Sequence, residues 1–432
     1  MSQIDSAGLR TYTWDNADRI TQITDALNST LNQTYGYDEL DRLLSVTKSG
    51  GNQAFTYDAV GDRLTYQNGS NNSTYAYPGT SNRLASITGN QARTYTFDSA
   101  GNVAAYLTTA LTYDDAGRLR TAVNGATSRT YDYNGLGQRV RKRLTATTDA
   151  YYVYDEDGHL IGEYNTSGGM TQEIVWLGDI PVASLRPKTG GVNIYYIHTD
   201  HLNAPRLISQ ETDNKLRWRW DRHPFGTNAP VQALNGMATF TFNLRLPGQY
   251  SDSETGLFHN YFRDYDPAIG RYVQSDPIGL DGGISTYAYA AVNPVQYFDL
   301  FGLDVKVCHY PTGFTHVGFG VTGEQTTSGF YPKAHLPLAL GEVREDPQDE
   351  PRACKVVPSE PEQDRCMTNC RLKRAARPGW YRIGDRQCTS FVRDCMRECG
   401  VPTGIEPRYD VWQGPRPDRF FEALPGTKSW YN

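Results

Sequence analysis

The chain has 432 residues, enough for roughly two to three domains of ordinary size. Its 41 Gly and 30 Tyr, beside only 5 Met, favour β-structure over a helical bundle. No apolar run reaches the length of about 18 residues that a membrane-spanning helix needs, and no signal peptide is predicted at the N-terminus. A net charge of −6 gives no reason to expect a nucleic-acid partner.

The cysteines divide the chain before any motif is considered. All seven follow residue 303, and the preceding 303 residues contain none. This change in composition predicts a boundary between two regions of different character near that residue.

A pair formed by an aromatic residue and Asp recurs through the N-terminal region. Four of the aromatic positions, 37, 57, 77 and 97, are each 20 residues apart. The pairs are Trp14-Asp15, Tyr37-Asp38, Tyr57-Asp58, Phe97-Asp98, Tyr113-Asp114 and Tyr154-Asp155, with degenerate copies at Tyr77 and Tyr133. An alternating strand precedes each pair, and Asp or Gly follows it, which predicts one β-hairpin per repeat. Single hairpins are unstable alone, so neighbouring repeats are expected to pair into one long sheet.

The repeat resembles the YD repeats of Rhs proteins and of the related Tc-toxin C subunits. The segment Tyr195–Leu202 (YYIHTDHL) is similar to a second family motif, and residues 245–280 resemble the Rhs core signature nearly throughout. The resemblance covers about residues 10–303. Family members are usually much longer, so the chain is interpreted as a short member or a C-terminal piece.

The resemblance implies a mainly β fold. A spiral of YD-repeat β-hairpins would form a hollow cocoon around a small α+β C-terminal toxin domain. The implied domains are a YD-repeat shell over 1–244, an Rhs core with an aspartyl autoprotease over 245–303, and a toxin over 304–432.

Two Asp-containing segments close the core, SDPIGL at 275–280 and DLFGL at 299–303. In the family a pair of aspartates cuts the chain after the final Leu, which assigns Asp276 and Asp299 as the pair and Leu303–Asp304 as the bond. Two close carboxylates do not both ionise easily, so one is expected to keep its proton and serve as the acid.

The assignment of this pair has alternatives. Leu300 stands where the family has Pro, and Asp281 is a second choice for one of the two aspartates. Arg271 is predicted to support them. Both aspartates also have an ordinary alternative role as turn residues beside Gly and Pro.

The last 129 residues contain a His and a Cys in positions that suggest catalysis. His316 opens a predicted strand, and Cys388 falls at the start of a predicted helix, where the helix dipole favours a thiolate. This arrangement resembles permuted papain-like hydrolases of the NlpC type, which implies Cys388 as nucleophile and His316 as base. Ser328 is the proposed third member, with His335 and Gln325 as alternatives.

Six cysteines remain after Cys388, and their spacing suggests disulfides. They are Cys308, Cys354, Cys366, Cys370, Cys395 and Cys399. Two helices, each with a pair of cysteines four residues apart, would be joined by Cys366–Cys399 and Cys370–Cys395, leaving Cys308–Cys354. The alternative is one zinc site with four thiolates. Cys388 shares a helical face with Cys395 and Cys399, so a structural role for it also stays open.

The sequence therefore predicts a secreted interbacterial effector that cleaves itself and carries a cysteine-dependent amidase or peptidase. The resemblance implies an immunity protein and a delivery apparatus, such as type VI secretion, as partners. Peptidoglycan, a protein or an acyl-lipid is the expected substrate, with the periplasm as a possible destination and no cofactor required. The alternative is a nuclease or a non-catalytic toxin whose cysteines are structural.

Overall fold

β-Strands dominate the structure, a computed structural model. It describes residues 10–17, 19–79, 81–156, 158–234, 236–277, 284–299, 305–310, 316–321, 328–332, 338–345, 352–357, 380–382, 395–396 and 428–431. The described residues fall into two compact units. One contains residues Met1–Asp276 and Gly283–Gly302, and the other contains Pro277–Gly282 and Leu303–Asn432.

The first unit is built on a sheet of 21 strands in which each strand pairs antiparallel with the next one along the chain. The strands are β1 Arg10–Trp14, β2 Ile20–Asp25, β3 Gln33–Tyr37, β4 Leu43–Lys48, β5 Gln53–Tyr57, β6 Arg63–Asn68, β7 Asn71–Ala76, β8 Ser86–Gly89, β9 Arg93–Phe97, β10 Val103–Tyr106, β11 Thr109–Tyr113, β12 Leu119–Asn124, β13 Thr127–Tyr133, β14 Arg139–Arg143, β15 Asp149–Tyr154, β16 Leu160–Asn165, β17 Met170–Leu177, β18 Ile180–Lys188, β19 Gly191–Thr199, β20 Pro205–Gln210 and β21 Leu216–Arg219. The predicted series of hairpins is confirmed.

The aspartate of each repeat builds the turn between the two strands of its hairpin. In the repeat at Asp114, Oδ1 accepts the backbone N–H groups of Ala116 and Arg118, both at 3.0 Å. Oδ2 accepts the Arg118 guanidinium at 2.8 Å, and Gly117 takes the left-handed φ of +76° that this turn needs. The same contact between positions i and i+4 recurs in the pairs Asp15–Arg19, Asp38–Arg42, Asp98–Asn102 and Asp155–His159.

The tyrosine of six repeats joins its hairpin to the previous one. Tyr37 Oη donates to the carbonyl of Ile20 at 2.6 Å, and Tyr133 Oη donates to that of Leu119 at 2.8 Å. Tyr57, Tyr77, Tyr113 and Tyr154 make the same bond to Leu43, Arg63, Val103 and Arg139. We call this set of hydrogen bonds the inter-repeat bonds. They explain why these repeats carry a tyrosine, which combines an aromatic ring with a polar tip.

Buried residues two positions before the repeat aromatics form the core of the large sheet. They include Tyr35, Phe55, Tyr75, Tyr95 and Tyr131. This follows from strand geometry, because side chains two residues apart lie on the same face of a strand.

A small antiparallel sheet packs against the later strands of the large one. It consists of β22 Gln249–Ser251, β23 Phe258–Asn260, β24 Arg263–Asp266 and β25 Arg271–Tyr272. Phe258, Tyr265 and Tyr272 from this sheet share a buried cluster with Trp218 and Ile197 of the large sheet. Short 3₁₀ helices at Ser29–Leu31 and Ala290–Val292 are among the described residues of the first unit.

The second unit contains a sheet of seven strands. They are β26 Val305–Tyr310, β27 His316–Val321, β28 Ser328–Pro332, β29 Leu338–Glu345, β30 Arg352–Val357, β31 Trp380–Arg382 and β32 Lys428–Tyr431. Their order in the sheet is β31-β29-β28-β27-β26-β30-β32. Within the described residues, no helix is long and apolar enough to cross a bilayer.

Candidate functional site

Arg263 lies at the centre of a buried group of polar side chains in the first unit. Its Nη1 lies 2.8 Å from Oδ2 of Asp276, and its Nη2 lies 3.0 Å from Oδ2 of Asp299. The side chains of Arg263 and Asp276 are each 4% exposed, and that of Asp299 is 16% exposed. One guanidinium therefore brings together the two aspartates that the sequence singles out. We call these three residues the Arg263 triad.

The hairpin of β23 and β24 positions the arginine. Asn260 and Arg263 are register partners at its closed end. The guanidinium carbon of Arg263 lies 3.7 Å from the centre of the Tyr272 ring, which comes from the neighbouring strand β25. This stacking on an aromatic face holds the guanidinium plane in place.

Asp299 has further partners in the same small sheet. Tyr272 Oη donates to Oδ2 of Asp299 at 2.9 Å. Asn260 Nδ2 donates to the backbone carbonyl of Asp299 at 2.8 Å and lies 2.6 Å from Tyr272 Oη. Both the main chain and the side chain of Asp299 are thus held, although this residue lies outside any strand.

Asp276 is fixed through its backbone and through the segment before it. Its N–H donates to the carbonyl of Thr286 at 2.7 Å. Two residues earlier, the Gln274 amide bonds both the backbone N–H and Oδ2 of Asp264, each at 2.7 Å. Because Asp264 follows Arg263 in β24, this pair of bonds sets the segment leading to Asp276 beside the arginine.

The site holds a cation that the sequence analysis assigned to a different residue. A cation between two carboxylates offsets their mutual repulsion, and Arg263 supplies it. Arg271 was predicted for this supporting role, but its guanidinium donates to Tyr77 Oη at 2.8 Å and to the Asn82 carbonyl at 2.6 Å.

Sequence reasoning missed Arg263, Tyr272 and Asn260. All three lie in the 245–280 segment that resembles the Rhs core signature, so that segment contained the available signal. Asp281, Leu303 and Asp304 lie outside the described residues.

The predicted toxin residues are described only through the backbone. His316 is the first residue of β27, as predicted, and is in register with Tyr310 of β26. Ser328 is the first residue of β28 and is in register with Phe319 of β27. Phe319 follows His316 by three residues, which corresponds to roughly 10 Å along the strand. The register therefore does not set Ser328 directly beside His316. Cys388, Gln325 and His335 lie outside the described residues.

Two observations bear on the other cysteines. Cys308 of β26 and Cys354 of β30 are directly opposite in register, as a disulfide between them requires. Cys395 is fully buried and disulfide-bonded, so its sulfur is not available to a zinc site with four thiolates. Cys366, Cys370 and Cys399 lie outside the described residues.

The comparison with known families is decisive for the first unit. Residues 8–294 match the family described as Teneurin YD-shell. The chain belongs to this YD-shell family. The match spans the repeat strands and the small sheet that carries Arg263.

Several bacterial toxins are similar in sequence. The chain is 30% identical over 256 residues to double-stranded DNA deaminase toxin A of Burkholderia cenocepacia, covering 52% of this chain and 17% of that protein. It is 37% identical over 121 residues to the toxin protein Tse5 of Pseudomonas aeruginosa, covering 28% and 9%. It is 34% identical over 182 residues to the probable deoxyribonuclease RhsA of Dickeya dadantii, covering 40% and 12%.

These relatives are far longer than the chain, which spans less than a fifth of the length of each. Among solved structures, the TcdB2-TccC3-TEV toxin crystal structure matches 68% of this chain and 18% of its own, at 18% identity and a TM-score of 0.47.

Proposed function

We propose that the YD-shell unit cuts its own chain between Leu303 and Asp304 and so separates the last 129 residues from the shell. The observation that carries this proposal is the Arg263 triad, in which one buried guanidinium contacts both predicted aspartates. Desolvation of a buried ion group of this kind costs free energy that its own charge pairing repays only in part, so the triad is weak evidence for a purely stabilising role.

Chain connectivity limits the distance between the bond and Asp299. Leu303 follows Asp299 by four residues, so its α-carbon lies within about 14 Å of that of Asp299 on any path that the chain takes. A substrate tethered at this range reacts without the entropy loss of a bimolecular encounter.

The chemistry assigned to the triad is hydrolysis. One aspartate takes a proton from a water molecule, and the water oxygen forms a bond to the Leu303 carbonyl carbon. Arg263 stabilises the negative charge that develops on the carbonyl oxygen. The bond from that carbon to the Asp304 nitrogen then breaks, and the aspartate returns its proton to the leaving nitrogen. The Leu303 carboxylic acid then passes its proton to the Asp304 amine, so that the products are a carboxylate at Leu303 and an ammonium group at Asp304.

Substitution of the aspartates in the full chain tests this proposal. Wild-type protein is expected to yield a fragment of 129 residues whose N-terminus is Asp304, whereas Asp276→Asn and Asp299→Asn leave the chain whole. Electrophoresis detects the fragment, and mass spectrometry identifies its N-terminal residue. Asp266→Asn is the matched control, because Asp266 is buried in the same sheet, pairs with Arg93, and has its pKa raised by burial. Cleavage that persists in both test variants would reject the proposal.

For the released part we propose a toxin delivered to a target cell and neutralised by an immunity protein. Two of the relatives are named as toxins, which supports this role. The proposed chemistry is a cysteine hydrolase with Cys388 as nucleophile, His316 as base and Ser328 as third member, acting on peptidoglycan, a protein or an acyl-lipid. It rests on the sequence pattern and on the position of His316 at the start of β27.

A nucleic-acid-directed toxin is the second proposal for the same part. It is favoured by relatives named as a DNA deaminase and a probable deoxyribonuclease. Cys388→Ala separates the two proposals. Loss of toxicity together with intact target-cell DNA supports the hydrolase, whereas full toxicity with degraded or deaminated DNA supports the second.

A further inference from the structure

Tyr272 lies between Asn260 and Asp299 in a short chain of hydrogen bonds. Asn260 Nδ2 is 2.6 Å from Tyr272 Oη, which is 2.9 Å from Oδ2 of Asp299. The Asn260 and Tyr272 residues are 0% and 1% exposed. These bonds are therefore protected from exchange with bulk water.

The direction of each bond follows from what the atoms can donate. The backbone carbonyl of Asp299 only accepts, so the Asn260 atom 2.8 Å from it is the amide nitrogen. The second hydrogen of that NH₂ group points to Tyr272 Oη, which accepts it. The phenolic hydrogen is then directed to Oδ2 of Asp299. Burial raises the pKa of Tyr272 well above its ordinary value, so the phenol keeps this hydrogen.

We propose that Tyr272 is a positioning residue for the autoproteolysis described above, and that Asn260 orients its hydroxyl. This inference rests on the proposed function. Tyr272 and Arg263 donate to the same oxygen of Asp299, while Asn260 holds its main chain. Asp299 is thereby anchored at two points, although no strand contains it.

The arrangement has a consequence for pH dependence. A donated hydrogen bond favours the ionised carboxylate that accepts it. Loss of the Tyr272 hydroxyl removes a donor to Oδ2 of Asp299, so the acid limb of the pH–rate profile of cleavage is expected to move to higher pH. A residue that only fills space in the core would not move this limb.

Tyr272→Phe in the full chain tests the proposal. Phe keeps the ring that stacks on Arg263 and removes only the hydroxyl. The first-order rate of appearance of the 129-residue fragment is expected to fall by about ten- to hundredfold at neutral pH. The acid limb is expected to shift upward, and Asn260→Ala is expected to shift it in the same direction.

Tyr265→Phe is the matched control. Tyr265 is buried in the same aromatic cluster, with its ring 5.9 Å from that of Tyr272, but its hydroxyl donates to the Phe225 carbonyl. This variant is expected to cleave with the wild-type pH profile. If Tyr272→Phe matches the wild type in both rate and pH profile while the two aspartate variants stay uncut, the positioning role is rejected and the proposed function stands. If the aspartate variants also cleave, the proposed function itself fails.

Discussion

Aspartate and arginine meet in two regions of the YD-shell unit, with different results. In three of the repeat turns, an Asp pairs with an arginine four residues later, as Asp114 does with Arg118, whose side chains are 22% and 24% exposed. In the small sheet, Asp276 and Asp299 share Arg263, which is almost fully buried. The turn pairs are local, and water screens them. The triad depends on the tertiary fold. Because its charges are buried, water cannot readily take the place of a partner that is removed.

Removal of the arginine in each region gives the largest expected contrast. Arg263→Met leaves two buried carboxylates without their cation, so we expect the free energy of unfolding to fall by about 3–5 kcal/mol. Arg118→Met breaks a half-exposed pair and is expected to lower it by at most about 1 kcal/mol. Urea unfolding followed by the fluorescence of the buried Trp218 and Trp220 measures both. Equal shifts in the two variants would contradict the distinction.

His159 makes one repeat turn sensitive to pH. It stands where other repeats have Arg, and its ring nitrogens lie 3.0 Å from Asp155 and 2.9 Å from Asp179. Burial opposes protonation, but the hydrogen bonds that the ring donates to these two carboxylates raise the pKa of His159 to about 9. The stabilisation is full below about pH 6.5 and is lost as the pH rises through 9.

We expect this loss to amount to about 2 kcal/mol, a value reduced because Asp179 is 41% exposed. Thermal unfolding at pH 6 and pH 9.5 measures this change in the wild type and in His159→Gln. The variant is expected to show no such difference in stability between the two pH values. His223→Gln is the control, because burial and Lys48 lower the pKa of His223 to about 4 and keep it neutral over this range. A pH dependence that survives in His159→Gln would exclude His159 as its source.

The smallest expected effect concerns turn conformation alone. Asn203 has φ of +61° at the turn position that Gly117 occupies in its own repeat. Asn203→Gly relieves the left-handed strain and is expected to raise the free energy of unfolding by about 0.5 kcal/mol. Gly117→Asn should lower it by a similar amount, and a shift of the same sign in both variants would contradict this explanation.

The repeat hairpins could be predicted from the sequence because their determinants are local. The spacing of aromatic–Asp pairs and the turn residues between strands lie within a few positions of one another. The same turn at Asp200 was not recognised, although its Oδ1 accepts the N–H groups of Leu202 and Ala204. Its aromatic neighbour is replaced by Thr199, and its glycine by Asn203, so only the geometry reveals it.

The Arg263 triad was only half predictable. Family resemblance pointed to the two aspartates, but Arg263 and Asp299 are 36 residues apart and no local period relates them. Arg271, in the segment GRYVQSDP that leads to Asp276, is the supporting residue predicted from the sequence. The fold turns it toward Tyr77 and Asn82 instead. Only the pairing of β23 with β24 brings Arg263 to its place.

The inter-repeat bonds also set an order of assembly. Each phenol reaches back only 10 to 17 residues, so every hairpin can dock on the previous one soon after it is synthesised. The segments that follow β21 differ, since Arg139 contacts Asp252 across 113 residues and Asp62 contacts Ser285 across 223. The large sheet can therefore assemble one hairpin at a time from its N-terminal end. The residues that hold Asp276 and Asp299 come together last, after the hairpins of the large sheet have formed.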